Sequence, residues 1–271
     1  MGQDIIGFIG AGNMATALVK GLIESGVQGA EHLRASDIHE ERLKKLSADF
    51  GLPVHPNNLA LVQDCTVIVL AVKPQNMREV LEDIRTKVRD DHLVIYIAAG
   101  IPLKMIYEVI GREIAAVRVM PNTPALIQQG ISALAAGGKA HEGDLEKVSR
   151  IFEAVGRIVI VSEEMMDAVT ALSGSGPGYV FKLMECFVGA GLKVGFDEHT
   201  ALRLVTQTFL GAAHLAIESE KGLSELREMV TSPGGTTAAG LAVMDQRGLA
   251  PLLEEAVEAA CQRSIELGKD G

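Results

Sequence analysis

Short apolar runs alternate with segments of helical periodicity over the first 161 residues of the chain. The runs are rich in Val, Ile and Ala, and they predict strands at residues 5–10, 32–36, 66–71, 93–98, 115–120, 131–135 and 158–161. Between them, apolar residues three and four positions apart predict helices at residues 13–25, 40–50, 75–89 and 143–154. Apolar strands that alternate with helices are typical of an α/β fold, in which a doubly wound parallel sheet is covered on both faces.

The pattern changes after Val161, where Ala, Leu and Glu recur with helical spacing and no strand is indicated. This part predicts helices at residues 165–172, 178–193, 198–219, 223–230, 236–246 and 250–267. We therefore expect an α/β domain at residues 1–162 and an all-helical domain at residues 163–271. Small residues such as Gly189-Ala190-Gly191 let helices approach closely. Because a helical region of this size is often completed by another chain, the expected assembly is a homodimer.

The composition of the 271 residues argues against several classes of function. Hydrophobic residues make up 48% and charged residues 22%, which suits a globular protein with a sizeable core. A net charge of −10 and 4% of aromatic residues argue against nucleic acid and an anionic membrane as partners. Three widely spaced cysteines support neither a disulfide framework nor a metal site. Since neither a leader sequence nor an apolar run of about 18 residues is present, the expected location is the cytoplasm.

A glycine-rich segment directly follows the first predicted strand and precedes the first predicted helix. Gly10, Gly12 and Ala15 fit the pattern GxGxxG/A, in which the first glycine allows a tight turn and the second lets a pyrophosphate approach the backbone. The free N–H groups of the following helix would then hold the anion. Asp37 follows 22 residues after Ala15, where an acidic residue binds the ribose hydroxyl groups. A merely tight turn is the alternative, but the order of strand, turn and helix favours a dinucleotide cofactor.

Two further segments end predicted strands, where ligands bind in open α/β sheets. In Ala71-Val72-Lys73-Pro74, the lysine could contact cofactor phosphate or ribose, or it could be an ordinary solvated residue. Met120-Pro121-Asn122-Thr123-Pro124 is a rigid turn, which could form a wall of a nicotinamide pocket or be structural only. Asn58 is either a helix N-cap or a contact to the adenosine end of the cofactor.

Two segments rich in Gly and Ser interrupt the helical half, at residues 173–178 and 231–237. Successive backbone N–H groups at a helix start can bind a carboxylate or a phosphate, although capping and tight turns are the ordinary explanation for either segment alone. No histidine lies in the glycine-rich loops, so a base for alcohol oxidation is not evident. Lys182 makes a β-hydroxyacid dehydrogenase an alternative, although that family places its lysine sooner after the glycines. Reduction of a C=N bond makes a lighter demand on catalytic side chains than alcohol oxidation does, because an iminium is already protonated and electrophilic.

With these motifs the chain resembles the pyrroline-5-carboxylate reductase family, which catalyses the last step of proline synthesis. The resemblance is carried, in order along the chain, by residues 8–15, 71–74, 98–100, 120–124, 172–177 and 232–237. The last segment, Ser232-Pro233-Gly234-Gly235-Thr236-Thr237, resembles the family signature and is quite specific. The resemblance implies a Rossmann-type domain followed by a helical dimerisation domain, with higher assemblies built from dimers.

The resemblance also implies the reaction and the residues that carry it. NADPH or NADH would transfer a hydride to 1-pyrroline-5-carboxylate, and the product would be L-proline. Thr237 would hydrogen-bond the ring nitrogen, while Ser175 and Glu220 would line the site. The substrate carboxylate would be held by a loop that the partner subunit is implied to lend, which comprises Ser232, Pro233, Gly234, Gly235 and Thr236. The expected cofactor contacts are Ile9, Gly10, Ala11, Gly12, Asn13, Met14, Asp37, Asn58, Ala71, Val72, Lys73, Pro74 and Asn122.

Two positions depart from the family pattern. Relatives that favour the 2′-phosphorylated cofactor often carry a small hydroxyl residue where this chain has Asp37, so we expect use of both cofactors with a tilt toward NADH. Some relatives carry Asn where Met229 stands, and no side-chain partner is expected there. Two alternatives to this reductase are a β-hydroxyacid dehydrogenase and a non-catalytic dinucleotide-binding protein.

Overall fold

The chain folds into two compact units, which a computed structural model describes over residues 4–270. The first unit consists of residues 4–175 together with residues 259–270, and it contains the whole sheet. The second unit consists of residues 176–258, and its regular elements are all helices.

The first unit is built on one sheet with the strand order β2-β1-β3-β4-β5-β6-β7. All the predicted strands are present, and their ends differ from the prediction by a few residues. They are β1 (Ile6–Ile9), β2 (Leu33–Ser36), β3 (Val67–Leu70), β4 (Leu93–Tyr96), β5 (Ala115–Met120), β6 (Gly130–Gly138) and β7 (Gly156–Ile160).

The sheet is mostly parallel, which confirms the predicted α/β class with one difference in direction. Strands β1 to β5 are parallel, whereas β6 runs antiparallel to β5 and pairs in parallel with β7. The connection from β5 to β6 explains the reversal, because residues 121–129 are too few for the crossover that a parallel neighbour requires.

Helices cover both faces of this sheet and bury two separate cores. The first face carries α1 (Asn13–Glu24), α2 (Glu40–Phe50) and α6 (Glu142–Glu153), and the second carries α3 (Asn58–Asp64), α4 (Met77–Ile84) and α5 (Leu103–Ile110). Successive residues of a strand point to opposite faces. Accordingly, Phe8 lies in the first core and Ile9 in the second.

Four helices of this unit differ from the prediction: two are too short to be recognised in the sequence, and two begin or end in another type of turn. α3 and α5 are absent from the prediction because helices of seven and eight residues offer few apolar repeats. The helix predicted at residues 75–89 begins as a 3₁₀ turn at Pro74–Asn76 and continues as α4. The helix predicted at residues 165–172 is α7 (Met166–Val169), which is followed by a π-helical turn at Thr170–Gly174.

The second unit contains the remaining predicted helices and has little core of its own. They are α8 (Gly176–Lys193), α9 (Glu198–Glu218), α10 (Leu223–Met229), α11 (Thr236–Gln246) and the first half of α12 (Leu249–Asp270). Phe187 and Phe209 pack edge to face with ring centroids 5.7 Å apart. No side chain of α8 is buried, and α9 buries Ala201 alone. Within residues 4–270, no helix has the length and apolar character to cross a membrane.

The buried His92 makes the stability of the first unit depend on pH. It lies in the turn before β4 with 1% of its surface exposed. Its Nδ1 accepts a hydrogen bond from Arg89 N at 3.0 Å, and burial lowers the pKa of the imidazole. The unfolded chain therefore binds a proton near the ordinary pKa of about 6.5, whereas the folded chain resists it. The buried, neutral imidazole of His92 therefore contributes to the free energy of unfolding above about pH 6.5, and this contribution is lost as the pH falls below that value.

We expect His92→Gln to flatten this decline in stability between about pH 7 and pH 5, because Gln has no proton to gain. Urea unfolding at a series of pH values measures the effect. His214→Gln removes an exposed histidine and is the matched control. Equal pH slopes for His92→Gln and the natural protein would contradict the prediction.

Candidate functional site

The loops that follow β1 to β5 come together at one edge of the sheet, because the carboxyl ends of parallel strands lie side by side. Across the sheet they are Asp37 after β2, residues 10–12 after β1, residues 71–74 after β3, residues 97–102 after β4 and residues 121–122 after β5. The cofactor residues predicted from the sequence therefore converge where open α/β sheets bind ligands.

Gly10 makes the turn between β1 and α1 possible. Its φ of 100° lies in the left-handed region, and a Cβ at this position would stand 2.6 Å from the carbonyl oxygen of Ala71. Backbone hydrogen bonds of 2.8 Å tie the turn to both sides, from Gly10 N to Ser36 O and from Ala71 N to Ile9 O. A larger residue at position 10 would push the turn away from the end of β3.

The N-terminus of α1 is open at this edge. Its N-cap is Gly12, whose lack of a side chain leaves the first N–H groups of the helix without a cap, and the first turn has no acidic residue. A Cβ built on Gly12 would meet nothing within 4 Å. Free N–H groups, a positive helix dipole and open space fit the pyrophosphate of a dinucleotide. Ala15 is buried, as expected for the third position of the motif.

Asp37 is held against the glycine turn at the end of β2. Its Oδ2 accepts a hydrogen bond from Ala11 N at 2.7 Å, and its Oδ1 accepts one from His39 N at 2.8 Å. The side chain is 5% exposed, and Arg42 Nη1 lies 3.7 Å from Oδ2. The carboxylate thus occupies the strand end where Rossmann-type domains bind ribose.

The other polar residues of β2 have partners of their own. Arg34 Nε donates to Asp64 Oδ2 at 2.7 Å, and this hydrogen bond lowers the pKa of Asp64. Ser36 Oγ donates to Asn58 Oδ1 at 2.8 Å. Arg42 differs from Arg34, because 54% of its side chain is exposed beside Asp37.

Asn58 is the first residue of α3 and not its N-cap, so the capping interpretation of Asn58 is wrong. The cap is the preceding Asn57, whose Oδ1 accepts a hydrogen bond from Ala60 N at 2.9 Å. Asn58 accepts from Ser36 and donates through Nδ2 to Asp83 at 3.0 Å. It therefore links the end of β2 to α3 and α4, and its contact with the cofactor stays a prediction.

The segment after β3 forms the opposite side of the glycine turn. Ala71 and Val72 are half-buried beside Gly10. Lys73 is exposed, and Pro74 begins the 3₁₀ turn that leads into α4. The backbone of Ala71 is thus part of the site's framework, while the role of the Lys73 side chain stays a prediction.

Asn122 uses both ends of its side-chain amide within the first unit. Its Oδ1 accepts a hydrogen bond from Ile131 N at 3.0 Å, and its Nδ2 donates to Ser173 O at 3.3 Å. These bonds support the structural interpretation of the turn after β5. A contact between Asn122 and nicotinamide stays a prediction.

The segment at residues 232–237 is a second uncapped helix start. Gly234 has a φ of 69°, and Gly235 N donates to Ser232 O at 2.9 Å, which closes the turn before α11. Gly235 is the N-cap without a side-chain cap, and no acidic residue lies in the first turn. Thr236 is exposed and Thr237 is half-buried. Such a helix start suits a carboxylate.

The remaining predicted substrate residues lie outside this loop. Ser175 follows the π-helical turn, and its N–H donates to Thr170 O at 2.8 Å. Glu220 is exposed in the connection between α9 and α10. Met229 ends α10 with 62% of its surface exposed. The roles of these residues stay predictions.

Arg118 belongs to none of the predicted motifs, although it is buried in β5. Its side chain is 5% exposed, with Nη2 3.3 Å from Asp167 Oδ1 and Nη1 3.8 Å from Glu163 Oε1. The sequence signal was a single charge inside an apolar strand, since a buried charge requires a partner.

The cysteines and acidic residues form no metal centre in the part of the chain that the structure describes. All three cysteines are free. Burial raises the pKa of the Cys65 thiol to about 12, whereas Cys186 is exposed.

The fold and the site define an oxidoreductase that depends on a nicotinamide dinucleotide. A family model for the coenzyme F420-dependent NADP oxidoreductases matches residues 5–100, which contain the strands β1 to β4. A second model, described as the pyrroline-5-carboxylate reductase dimerisation region, matches residues 163–267.

Similarity to named proteins extends over the whole chain. A pyrroline-5-carboxylate reductase of Methanosarcina acetivorans is 42% identical over 99% of this chain and 100% of its own length. A solved pyrroline-5-carboxylate reductase structure from Coxiella burnetii is 35% identical, with a TM-score of 0.92 over 97% of this chain and 98% of that one. The structure of Plasmodium falciparum pyrroline carboxylate reductase with NADP bound is 32% identical, with a TM-score of 0.89 over 99% of both chains. The chain belongs to the pyrroline-5-carboxylate reductase family.

Family membership confirms the predicted activity. The chain is an NAD(P)H-dependent oxidoreductase that converts 1-pyrroline-5-carboxylate to proline. The β-hydroxyacid dehydrogenase and the non-catalytic dinucleotide-binding protein are thereby set aside as alternatives.

Proposed function

We propose that two uncapped helix N-termini each bind one anionic group in the reduction of 1-pyrroline-5-carboxylate to L-proline. The start of α1 at Gly12 holds the cofactor pyrophosphate, and the start of α11 at Gly235 holds the substrate carboxylate. The observation that carries this proposal is the glycine N-cap at both starts, without a side-chain cap or an acidic first turn. Both ligand groups are anions, which free N–H groups and a helix dipole stabilise.

Thr237 has the orienting role in this proposal. Reduced nicotinamide, when bound, supplies the hydride that the C=N carbon receives, which is C2 of the pyrroline ring and becomes C5 of proline. The protonated ring nitrogen donates a hydrogen bond to Thr237 Oγ, while the carboxylate is held at the helix start. Two points of attachment restrict the rotation of the ring. Because the iminium already carries its proton, no side chain has to deliver one at this step.

We expect Thr237→Ala to lower kcat/KM for 1-pyrroline-5-carboxylate on the order of 10²-fold, because the orienting hydrogen bond is lost. A water molecule that replaces the hydroxyl would reduce the loss. Steady-state kinetics with the purified imine measure the effect.

Thr237→Ser retains the hydroxyl and is expected to recover most of the activity. Thr236→Ala is the matched control, because it removes a neighbouring hydroxyl from the same first turn of α11. Equal losses in Thr236→Ala and Thr237→Ala, or no loss in the latter, would contradict the assignment.

We propose that Asp37 also tilts the cofactor preference toward NADH. A 2′-phosphate at the end of β2 would stand beside the carboxylate, and like charges about 4 Å apart repel by roughly 4 kcal/mol at an effective dielectric near 20. Arg34 is engaged by Asp64, and Ser36 by Asn58. Arg42, which is 54% exposed and pairs with Asp37 at 3.7 Å, is therefore the basic side chain of this group that can also reach a phosphate beside Asp37, which supports continued use of NADPH.

We expect Asp37→Ser to shift the ratio of kcat/KM for NADH over NADPH at least about tenfold toward NADPH, which corresponds to about 1.4 kcal/mol. Arg42→Ala is expected to shift the ratio in the opposite direction. The ratio is the appropriate measurement because loss of the bond between Asp37 and Ala11 N affects both cofactors.

Arg34→Ala is the control for these variants, since its partner is Asp64. It should leave the ratio within about twofold of the natural value. Should the natural protein strongly prefer NADPH, or should Asp37→Ser leave the ratio unmoved, Asp37 does not read the ribose.

We propose further that the active form is a homodimer or a higher assembly of dimers. The second unit buries few apolar side chains, and the large ones that stay exposed on α8 and α9 include Phe181, Leu192, Leu204, Leu210 and Ile217. Exposed apolar surface on this scale marks an interaction surface. The match of residues 163–267 to a dimerisation region supports a second copy of the chain as its partner.

We expect sedimentation at micromolar concentration to give at least a dimer. Leu204→Glu should raise the dimer dissociation constant at least about tenfold, because a charge enters the apolar surface. Arg203→Glu changes the neighbouring exposed residue to the same side chain and is the matched control. An active monomer at this concentration would rule out both the dimer and a substrate loop lent by the partner.

A further inference from the structure

The chain before Ser175 contains a wide helical turn that the reaction proposed above does not explain. At Thr170–Gly174 the helix is of the π type, and Ser175 N donates to Thr170 O, five residues earlier, at 2.8 Å. Thr170 is buried, and its Oγ1 donates to Met166 O at 2.8 Å. Single π turns are uncommon and often occur at functional sites.

The end of β5 contacts this turn directly. Asn122 Nδ2 donates to Ser173 O at 3.3 Å, while Asn122 Oδ1 accepts from Ile131 N at 3.0 Å. The amide therefore joins the turn to the start of β6, and its two bonds fix which end faces Ser173. Gly174 packs against Met120, and a Cβ on Gly174 would collide with the terminal methyl group of that methionine.

Strand β5 also binds residues that precede the π turn in the sequence. Arg118 pairs with Asp167 at 3.3 Å and with Glu163 at 3.8 Å, and its side chain is 5% exposed. Asp167 Oδ1 also accepts a hydrogen bond from Ser264 Oγ at 2.7 Å, and Glu163 accepts one from Leu103 N. Residues of β5 and its loop thus hold the segment both before the π turn and within it.

We propose that Asn122 is a positioning residue, which holds the π turn in place and thereby sets the direction in which Ser175 faces. This inference rests on the proposed role of Ser175 in lining the substrate site. A π turn contains one residue more than an α-helical turn, and each residue of an α-helix rotates the chain by about 100°. If the turn relaxed to the α form, Ser175 would move to a different face of the helix. The bond to Ser173 O opposes that relaxation.

The test compares Asn122→Asp with the natural enzyme. Aspartate keeps an oxygen that can accept from Ile131 N, but it cannot donate to Ser173 O. We expect KM for 1-pyrroline-5-carboxylate to rise about tenfold, with kcat changed less than about threefold. NADPH binding, measured by fluorescence titration without the imine, should stay within about twofold, because both ends of the Asn122 amide are bound within the protein. A larger loss of NADPH affinity would instead support the cofactor contact predicted from the sequence. Asn122→Leu removes both bonds without adding charge and should raise KM at least as much.

Gln129→Glu is the matched control, because it places the same negative charge on an exposed residue of the same connection. It should leave KM and kcat within about twofold of the natural values. Melting temperatures of all variants identify any that are unfolded at the assay temperature. If Asn122→Asp keeps the natural KM, or if it weakens NADPH as much as the imine, the positioning role is wrong.

A double-mutant cycle with Ser175→Ala separates this inference from the function on which it rests. When Asn122 acts through Ser175, the rise in KM caused by Asn122→Asp disappears in the Ser175→Ala background. Additive effects would overturn the inference. A Ser175→Ala variant with natural KM would instead remove Ser175 from the proposed substrate site.

Discussion

The close approach between the Gly10 turn and the end of β3 is the structural constraint on which the proposed cofactor site of the first unit depends. The carbonyl oxygen of Ala71 occupies the space that a Cβ would need, and hydrogen bonds from both strands fix the turn. This approach directs α1 so that its free N–H groups open onto the carboxyl edge of the sheet. Asp37 strengthens the arrangement by binding Ala11 N, so the residue expected to read the ribose also supports the turn. Under the proposed role of Asp37, one side chain would contribute both to the stability of the turn and to cofactor recognition.

The two units differ in how far their apolar side chains are buried within one chain. The sheet of the first unit is covered on both faces and buries two cores within one chain. The helices of the second unit leave Phe181 and Leu204 more than half exposed. Apolar surface of this kind gains about 25 cal/mol for each Å² removed from water, and a second copy can provide that cover. In the proposed dimer, association would complete the burial of the apolar side chains of this unit.

The sequence predicts the features of this protein that depend on local pattern. All strands of the sheet and the glycine turn at Gly10 follow from periodicity and spacing alone. The short helices α3 and α5 do not, because they contain too few apolar repeats to stand out. The direction of β6 depends on the length of a connection, and the partners of Asn122 and Arg118 depend on contacts distant in sequence. The π turn at Thr170–Gly174 is invisible to a helical periodicity that counts apolar residues only.

The route of the chain has a consequence for how the protein is made. The first unit is discontinuous, since residues 259–270 return to it after the second unit has been completed. Ser264 supplies a hydrogen bond to Asp167, and Gly268 packs so closely on Gly100 that a Cβ would collide with its carbonyl oxygen. Domains generally fold as units while the ribosome extends the chain from its N-terminus. Here the nucleotide-binding unit still lacks its last contacts when all of its strands have emerged, so its folding is completed only after the second unit has been synthesised.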